Sequence, residues 1–313
     1  MNKKIVITGC AGYIGSKLCE KLLYMGNYHI VGFDSLYYGQ GILTYPLLKN
    51  ITFFNEDITD WSDNLIRHIK EADIVICLAA LVGAPLCKQY PEESELINYK
   101  WYLKLLEYLK PTTEVIFPST NSGYGNAGID ICTEETPSNP VSLYAKQKQN
   151  TEQILLENLR NVSVFRFATV FGWSWRPRLD LLVNTLIQEA YTTKKIKVFN
   201  PNVYRNYIHI NDITSALLST IKDFKNFRGE IFNLGNDALN CTKLELAQNI
   251  ASMTESVIEM VDGEDPDKRD YIVSSKKIMD KGFRPYYDLE YGVKEMCHMF
   301  SFMNDKELFL KNY

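Results

Sequence analysis

The chain has 313 residues, of which 46% are hydrophobic and 23% are charged. This length suits two globular units, or one large α/β unit with an appendage, and the composition excludes a disordered, collagen-like or fibrous chain. The net charge of -4 argues against a nucleic-acid partner held through its phosphates. We therefore expect a folded protein whose partners are small molecules.

The seven cysteines form no Cys-x-x-Cys pair, and their odd number argues against a disulfide framework. The longest apolar run, from Ile74 to Cys87, contains Gly83 and Pro85 and is too short to span a bilayer. The apolar stretch before Cys10 is too short for a secretion signal. We expect a cytoplasmic protein with no membrane segment, and four scattered histidines predict no metal site.

The first half of the chain alternates β-rich runs with amphipathic helical patterns, which is typical of βαβ units. The predicted strands are Lys4–Thr8, His29–Phe33, Thr52–Asn55, Ile74–Leu78, Glu114–Pro118 and Val162–Phe167. The helical patterns between them include Ile14, Leu18 and Leu22 at helical spacing, Trp61–Lys70, Glu92–Leu109 and Leu143–Leu159. The fold class is therefore predicted as α/β, with a doubly wound parallel sheet of the Rossmann type over residues 1–172.

After Gly172 the alternation loosens, which favours a smaller, mixed domain over residues 173–313. Residues 203–232 are expected to return to the first domain. The predicted elements are helices at Leu181–Thr192, Lys243–Met253 and Leu289–Met303, and strands at Tyr204–Ile210 and Ile231–Leu234.

A glycine-rich segment follows the first strand and opens the first helix. Its glycines are Gly9, Gly12 and Gly15, and Tyr13 and Ile14 lie between the last two. Glycines allow a sharp turn and a close approach to a pyrophosphate, whose charge the helix N-terminus stabilises. A tight strand-to-helix turn that binds no ligand is the alternative.

Asp34 ends the second predicted strand, where a carboxylate can accept hydrogen bonds from an adenosine ribose. The same carboxylate would repel a 2′-phosphate, and neither Ser35 nor Leu36 supplies a cation to hold one. The sequence therefore favours NAD over NADP as cofactor. Alternatively, Asp34 is only a turn residue.

Tyr144 and Lys148 are spaced so that both project from one face of a helix. A lysine charge beside a tyrosine favours the phenolate and is expected to lower the tyrosine pKa into a range useful for acid/base chemistry. The spacing alone is weak evidence, because Tyr13 and Lys17 match it as well. Tyr144 differs because it follows the Gly/Ser-rich loop after the fifth strand, where parallel sheets bind ligands.

Together these features resemble the extended short-chain dehydrogenases/reductases of the nucleotide-sugar epimerase and dehydratase type. The resemblance covers nearly the whole chain, and it also rests on Asp57-Ile58, Leu78-Ala79-Ala80, Thr120, Arg166-Phe167 and the segment from Arg205 to His209. It implies that Tyr144 removes a proton from a sugar hydroxyl while a hydride passes to nicotinamide. Thr120 would bind the same oxygen and Lys148 the nicotinamide ribose. Further cofactor contacts are expected from Ser35, Asp57, Ile58, Leu78, Ala79, Ala80, Phe167 and Val170.

The resemblance also places the substrate. Arg205 matches the family's substrate-phosphate arginine, and Arg269 lies where a second one is common; forked guanidinium groups recognise a diphosphate well. Solvated surface arginines are the alternative for both. The remaining residues expected to contact substrate are Val82, Thr120, Asn121, Ser122, Thr169, Arg178 and Asn184. His209 is expected to be structural, and Trp173 and Trp175 to pack between domains rather than to cap a sugar.

Departures from the family narrow the chemistry. Its 4,6-dehydratases place an Asp-Glu pair directly after the catalytic threonine, whereas Asn121 and Ser122 follow Thr120 in this chain. Neither side chain can act as a carboxylic acid or a carboxylate base, so dehydration is disfavoured. Cys77 stands where the family commonly has a histidine, and Thr169 where many epimerases have an asparagine. These two changes leave open whether a 4-keto sugar is released or reduced again.

Four segments resemble the branch that acts on GDP-linked heptoses for bacterial surface and capsular polysaccharide: Ala79–Pro85, Asn121–Gly125, Arg178–Leu182 and Gly263–Arg269. The implied activity is NAD-dependent oxidation at C4 of GDP-manno-heptose. A C4 epimerase shares the first half-reaction and is the main alternative; a non-catalytic NAD-binding regulator is another, although such proteins tend to lose the Tyr/Lys pair. The resemblance also implies a homodimer formed through the helices Glu92–Leu109 and Leu143–Leu159.

Overall fold

The computed structural model describes residues 3–39, 47–261 and 269–303. Its strands are β1 (Lys3–Thr8), β2 (Tyr28–Asp34), β3 (Thr52–Asn55), β4 (Ile74–Cys77), β5 (Glu114–Thr120), β6 (Asn126–Cys132), β7 (Val162–Phe167), β8 (Thr169–Phe171), β9 (Lys195–Val198), β10 (Tyr204–His209), β11 (Glu230–Leu234), β12 (Asn236–Thr242), β13 (Val257–Met260) and β14 (Asp270–Val273). The α-helices are α1 (Tyr13–Met25), α2 (Asp63–Glu71), α3 (Ala84–Gln89), α4 (Pro91–Glu95), α5 (Trp101–Tyr108), α6 (Leu143–Asn158), α7 (Leu182–Thr193), α8 (Ile210–Lys222), α9 (Lys243–Thr254), α10 (Lys276–Asp280) and α11 (Leu289–Phe300).

The main sheet has seven parallel strands in the order β3-β2-β1-β4-β5-β7-β11. Because the order reverses at β1, the crossover helices cover both faces, which confirms the doubly wound Rossmann fold. The seventh strand is β11, which joins the six strands of the first half.

Both faces of the sheet are buried, as the near-continuous apolar strands predict. Ile5 and Ile7 of β1 pack on the side covered by α1 and α8. Val6, between them, points to the opposite side, where Leu65 of α2 and Trp101 of α5 lie. Successive residues of one strand therefore contribute to two different cores, and this fixes the strand register.

The structure differs from the predicted elements at two places. The strand β10 joins β8 and β12 in a separate three-stranded sheet, whereas β11, further along the chain, enters the main sheet. The single helix predicted over Glu92–Leu109 is interrupted, because Leu96–Lys100 forms a π-helical turn between α4 and α5. Such turns break the ordinary helical hydrogen-bond pattern and are frequent at functional sites.

A second apolar core lies outside the main sheet. It is built from α7, α9 and α11 together with residues of β8, β9 and β10, and it includes Phe171, Leu186 and Tyr207. The division of the chain at residue 172 into a cofactor and a substrate domain remains a prediction, but this core gives the second half of the chain its own packed interior.

Candidate functional site

A large cavity of about 1150 Å³ opens along the carboxyl ends of the main strands. Ligands bind at this edge in doubly wound sheets, close to the point where the strand order reverses. Residues from both halves of the chain line it. Most residues predicted for the site do so: Gly9, Gly12, Tyr13, Ile14, Gly15, Asp34, Ser35, Asp57, Ile58, Leu78, Ala79, Ala80, Val82, Thr120, Ser122, Tyr144, Lys148, Phe167, Thr169, Val170, Arg178, Arg205 and Arg269.

The glycine loop leaves room that larger residues would remove. A Cβ on Gly9, whose φ is +72°, would lie 2.6 Å from the backbone nitrogen of Ala79, and a Cβ on Gly15 would overlap the carbonyl oxygen of Gly9. Helix α1 begins after Gly12 with no side-chain cap and no acidic residue in its first turn. Its first N–H groups and the positive end of its dipole are therefore available to an anion, which fits a dinucleotide pyrophosphate.

Asp34 lies at the end of β2, beside this loop. Its two carboxylate oxygens accept hydrogen bonds from the backbone N–H groups of Ala11 (2.9 Å) and Leu36 (2.9 Å). Burial raises the pKa of Asp34, while these two N–H groups act in the opposite direction. The carboxylate is thus held at the cavity wall, where a ribose diol would find its acceptor.

A cation that sequence reasoning missed lies near Asp34. Arg176 lines the cavity although it is only 6% exposed, and its guanidinium sits 4.4 Å from the ring centre of Tyr38. Burial lowers the pKa of Arg176 to about 10. The sequence offered one signal, the Trp/Arg/Pro stretch after Gly172, but nothing that linked Arg176 to β2.

Thr120 ends β5 and organises the loop that follows it. Its hydroxyl donates to Ser122 Oγ at 2.9 Å and accepts from the Ser122 backbone N–H at 3.1 Å. Arg269 also donates a hydrogen bond to Ser122 Oγ. Asn121 points elsewhere: it is 0% exposed, does not line the cavity, and neither polar atom of its side chain has a hydrogen-bond partner within the described chain.

Helix α6 carries Tyr144 and Lys148 into the cavity. Ser142 caps the helix, because its Oγ accepts from the Ala145 N–H at 3.2 Å, and this places Tyr144 in the first turn and Lys148 one turn later. The Lys148 ammonium lies 4.2 Å from the ring centre of Phe117 in β5, and its side chain is buried.

The expected effect of Lys148 on the tyrosine is wrong for the protein as described. Burial raises the pKa of Tyr144 above its ordinary value and outweighs the charges of Arg178 and Arg269, which lower it. Burial also lowers the pKa of Lys148 to about 8, so this lysine loses its proton more readily than a solvated lysine does. Both groups are therefore biased toward their neutral forms.

The arginines predicted for the substrate fall into two groups. Arg205 is 2% exposed, donates to the carbonyls of Tyr204 (2.8 Å) and Arg269, and lies over the ring of Tyr271. Arg205 and Arg269 are thus neighbours at the wall of the cavity. Arg178 is paired with Asp180, whose Oδ1 accepts from its Nε at 2.8 Å.

Three other predicted residues lie away from the cavity wall. Asn184 binds the Gly172 N–H at 3.0 Å and the Arg178 carbonyl at 3.0 Å, so its amide joins two backbone segments. His209 is buried, contacts the ring of Phe171 and lies 3.1 Å from Glu295. Trp173 donates its backbone N–H to the same glutamate.

All seven cysteines are free. Within the ranges that the structure describes, no group of three or more His, Cys, Asp or Glu residues could hold a metal ion. No helix in those ranges is long and apolar enough to cross a membrane.

Comparison with known proteins agrees with this geometry. An uncharacterized protein of Methanocaldococcus jannaschii is 31% identical in an alignment 330 positions long, which covers 95% of this chain and 96% of that protein. The solved dTDP-glucose 4,6-dehydratase of Bacillus anthracis in complex with NAD is 25% identical and superimposes with a TM-score of 0.83 over 97% of this chain and 98% of its own. The UDP-glucuronic acid 4-epimerase of Bacillus cereus, solved with UDP-glucuronic acid and NAD, shares the fold, with 23% identity and a TM-score of 0.80 over 95% and 99% of the two chains.

The fold and the glycine-rich cavity define the class, an enzyme built around a dinucleotide. The NAD-dependent epimerase/dehydratase family model matches residues 5–235, and the chain belongs to that family. Its cofactor is NAD, as the sequence predicted. The resemblance stated from sequence is confirmed at the level of the family.

Proposed function

We propose that the protein is an NAD-dependent oxidoreductase that acts on C4 of a nucleotide sugar and oxidises GDP-manno-heptose to its 4-keto sugar. One observation carries the proposal. Tyr144, Lys148 and Thr120 share the cavity with the glycine loop, but the two positions after Thr120 hold no carboxylate.

These residues suffice for oxidation of an alcohol. The sugar C4 hydroxyl loses its proton to the ionised form of Tyr144, while the Thr120 hydroxyl turns from Ser122 Oγ to bind the same oxygen. The C4–H bond breaks, so that C4 becomes a ketone. NAD, when bound, accepts the two electrons and the hydrogen of that bond as a hydride. Lys148 is proposed to hold the nicotinamide ribose, and its charge there would offset the burial that raises the pKa of Tyr144.

Elimination of water would require more. A base must remove a proton from C5, and an acid must protonate the leaving C6 oxygen. Asn121 is buried away from the cavity, and the Ser122 hydroxyl is bound by Thr120 and Arg269. Neither side chain supplies a carboxyl group, which supports oxidation without dehydration.

Arg205 and Arg269 support the nucleotide part of the proposal. Buried Arg205 and partly exposed Arg269 both line the cavity, and Arg205 donates a hydrogen bond to the backbone carbonyl of Arg269. The planar fork of N–H donors on each guanidinium matches the oxygens of a diphosphate. Three of the four segments that resemble the GDP-heptose branch lie at or near this cavity. Most of the fourth, residues 263–268, lies outside the described residues.

A C4 epimerase is the second candidate. The similarity to the UDP-glucuronic acid 4-epimerase favours it, and Tyr144, Lys148 and Thr120 would serve its first step unchanged. The two activities differ in whether the hydride returns to the opposite face of the sugar. A non-catalytic regulator is disfavoured because all three catalytic candidates are present.

We also propose a homodimer. Leu96, Leu103 and Leu143 are exposed apolar side chains on the two helical segments through which the resemblance predicts dimerisation. Analytical ultracentrifugation of the protein and of a Leu103→Glu variant tests this assignment, because a charge at an apolar interface is expected to shift the dimer toward monomer.

The test of function is incubation of the purified protein with GDP-manno-heptose and with UDP-, dTDP- and CDP-sugars. We expect one GDP-sugar to give a product lighter by two hydrogens, together with an increase in the absorbance of reduced nicotinamide. A product lighter by one water would contradict the proposal. A product of unchanged mass would support the epimerase.

A further inference from the structure

One end of the cavity is not used by the proposed chemistry. Helix α7 lines the cavity with Leu182, Thr185, Leu186 and Glu189, which recur at helical spacing and lie on one side of the helix. From Leu182 to Glu189 the helix rises about 10 Å. This face therefore leads from the segment after Arg178 to a far end where Glu189 meets β9.

The carboxylate of Glu189 is fixed at that end. Its Oε2 accepts a hydrogen bond from the Lys197 backbone N–H at 2.9 Å, which ties the helix to β9. Its Oε1 has no hydrogen bond from any residue that the structure describes, and Glu189 is only partly buried at the cavity wall. A half-buried carboxylate with an unused oxygen is an acceptor for a donor on a ligand.

The chemistry of that ligand follows from the order of groups along a sugar nucleotide. If the sugar lies at Tyr144 and the diphosphate at Arg205 and Arg269, the base extends past the arginines along the cavity. Phe199 follows β9, is 40% exposed and also lines this end. An exposed aromatic ring, two residues along the chain from the Lys197 N–H that fixes the carboxylate, suits a flat base that stacks and donates hydrogen bonds.

We propose that Glu189 is a specificity residue that selects a guanine base. Guanine presents two neighbouring donors, N1–H and the N2 amino group, which match the two oxygens of one carboxylate. Uracil and thymine present a single N3–H between two carbonyl oxygens, and these oxygens repel a carboxylate. The inference rests on the proposed function in one respect: the proposed function places the sugar and the diphosphate in the cavity, and the position of the base follows from them.

The experiment measures calorimetric binding of GDP, IDP and UDP to the NAD-loaded protein. IDP lacks only the N2 amino group, so it isolates one of the two predicted hydrogen bonds. The variant is Glu189→Gln. The matched control is Glu259→Gln, which also removes one carboxylate charge. Glu259 is exposed on β13, the strand paired with β9, and does not line the cavity.

We expect GDP to bind at least about tenfold more tightly than UDP, with IDP between them, since a hydrogen bond to a charged group is worth about one to two powers of ten. Glu189→Gln should weaken GDP binding by about 10- to 100-fold, leave UDP within about twofold and remove most of the difference between GDP and IDP. The Glu259→Gln control should bind all three as the parent does.

Equal affinity of the parent for GDP and UDP, or an equal loss of both in Glu189→Gln, would overturn the inference. Because these ligands carry no sugar and undergo no turnover, that result would leave C4 oxidation of another nucleotide sugar standing. A product that has lost water would conversely refute the proposed reaction and leave recognition of the base untouched.

Discussion

In the proposed reaction, Tyr144 is the residue on which the chemistry depends most directly. Tyr144→Phe deletes only the phenolic oxygen, so the fold and NAD binding should persist while turnover falls by about 10² to 10⁴. Steady-state kinetics, NAD calorimetry and thermal unfolding together measure this. Tyr191→Phe, in another Tyr-x-x-x-Lys pair outside the cavity lining, is the control that should remain active. An unchanged kcat for Tyr144→Phe would remove this residue from the mechanism.

Lys148 should destabilise the protein at neutral pH. Its pKa falls from 10.5 to about 8 on folding, so the folded protein binds its proton more weakly than the unfolded chain does. The resulting loss of folding stability is fully present below pH 8, decreases as the pH rises from 8 toward 10.5 and is absent above that range. Lys148→Met should therefore raise the free energy of unfolding by about 1 to 3 kcal/mol at pH 7 and abolish activity.

Chemical denaturation at pH 7 and at pH 10 measures this change. The gain from Lys148→Met should shrink at the higher pH, and Lys146→Met, an exposed position on the same helix, should show no such dependence. A gain that is equal at both pH values would show that the methionine acts through packing alone.

Asp34 should set the choice of cofactor. We expect NAD to bind about 10- to 100-fold more tightly than NADP, because a 2′-phosphate would meet a buried carboxylate whose oxygens already accept two backbone hydrogen bonds. Arg176 lies near Asp34, and its positive charge would attract a 2′-phosphate that the carboxylate repels. Any residual NADP binding should therefore weaken in Arg176→Met, which distinguishes the effect of the arginine from that of Asp34. Calorimetry with both dinucleotides decides, and tighter binding of NADP would contradict this account of Asp34.

At the scale of elements, the turn between β1 and α1 is the most constrained part of the site. A Cβ at residue 15 would overlap the Gly9 carbonyl oxygen, so Gly15→Ala must displace the loop that is proposed to receive the pyrophosphate. NAD affinity should drop at least about tenfold. Gly26→Ala is the control. Gly26 ends α1 at φ +68°, and a Cβ there would have no atom within 4 Å, so the substitution should cost about 1 kcal/mol of stability without loss of NAD binding. Equal NAD affinity in both variants would show that the loop tolerates a side chain.

Some elements could be predicted from local pattern and others could not. The main strands follow from continuous apolar runs, and α6 begins after Ser142, a favourable cap. The π-helical turn at Leu96–Lys100 has no such local signal. It lies where Thr151 of α6 donates to the carbonyl of Asn98, a contact that exists only after the two helices have packed.

At the scale of the whole molecule, the second half of the chain completes the site. Ser174 donates to the Tyr13 carbonyl at 2.5 Å, so the segment after β8 packs directly on the start of α1. This contact brings Arg176 to the end of the cavity that Asp34 also lines. No sequence pattern links positions so far apart, which is why Arg176 and Glu189 were not predicted although the glycine loop and Asp34 were.

Burial explains the remaining differences between sequence and structure. The opposite pKa shifts of Tyr144 and Lys148 come from burial rather than from their spacing. Tyr144 packs against Leu81, Leu86 and Cys87, and Lys148 lies against Phe117. Asn184 was predicted to bind substrate, yet its amide is occupied by backbone groups of Gly172 and Arg178. A sequence shows which groups a helix face carries, but not which of them tertiary contacts will occupy.

The fate of the hydrogen on C4 of the sugar tests the central claim most directly. A GDP-sugar carrying deuterium at C4 is incubated with the protein and NAD, and the label is followed by mass spectrometry in both sugar and dinucleotide. The account predicts that deuterium leaves the sugar and appears in the reduced dinucleotide, while the sugar becomes a 4-keto product that keeps all its other oxygens. Deuterium that returns to C4 of an isomer, or a product that has lost water, would contradict it.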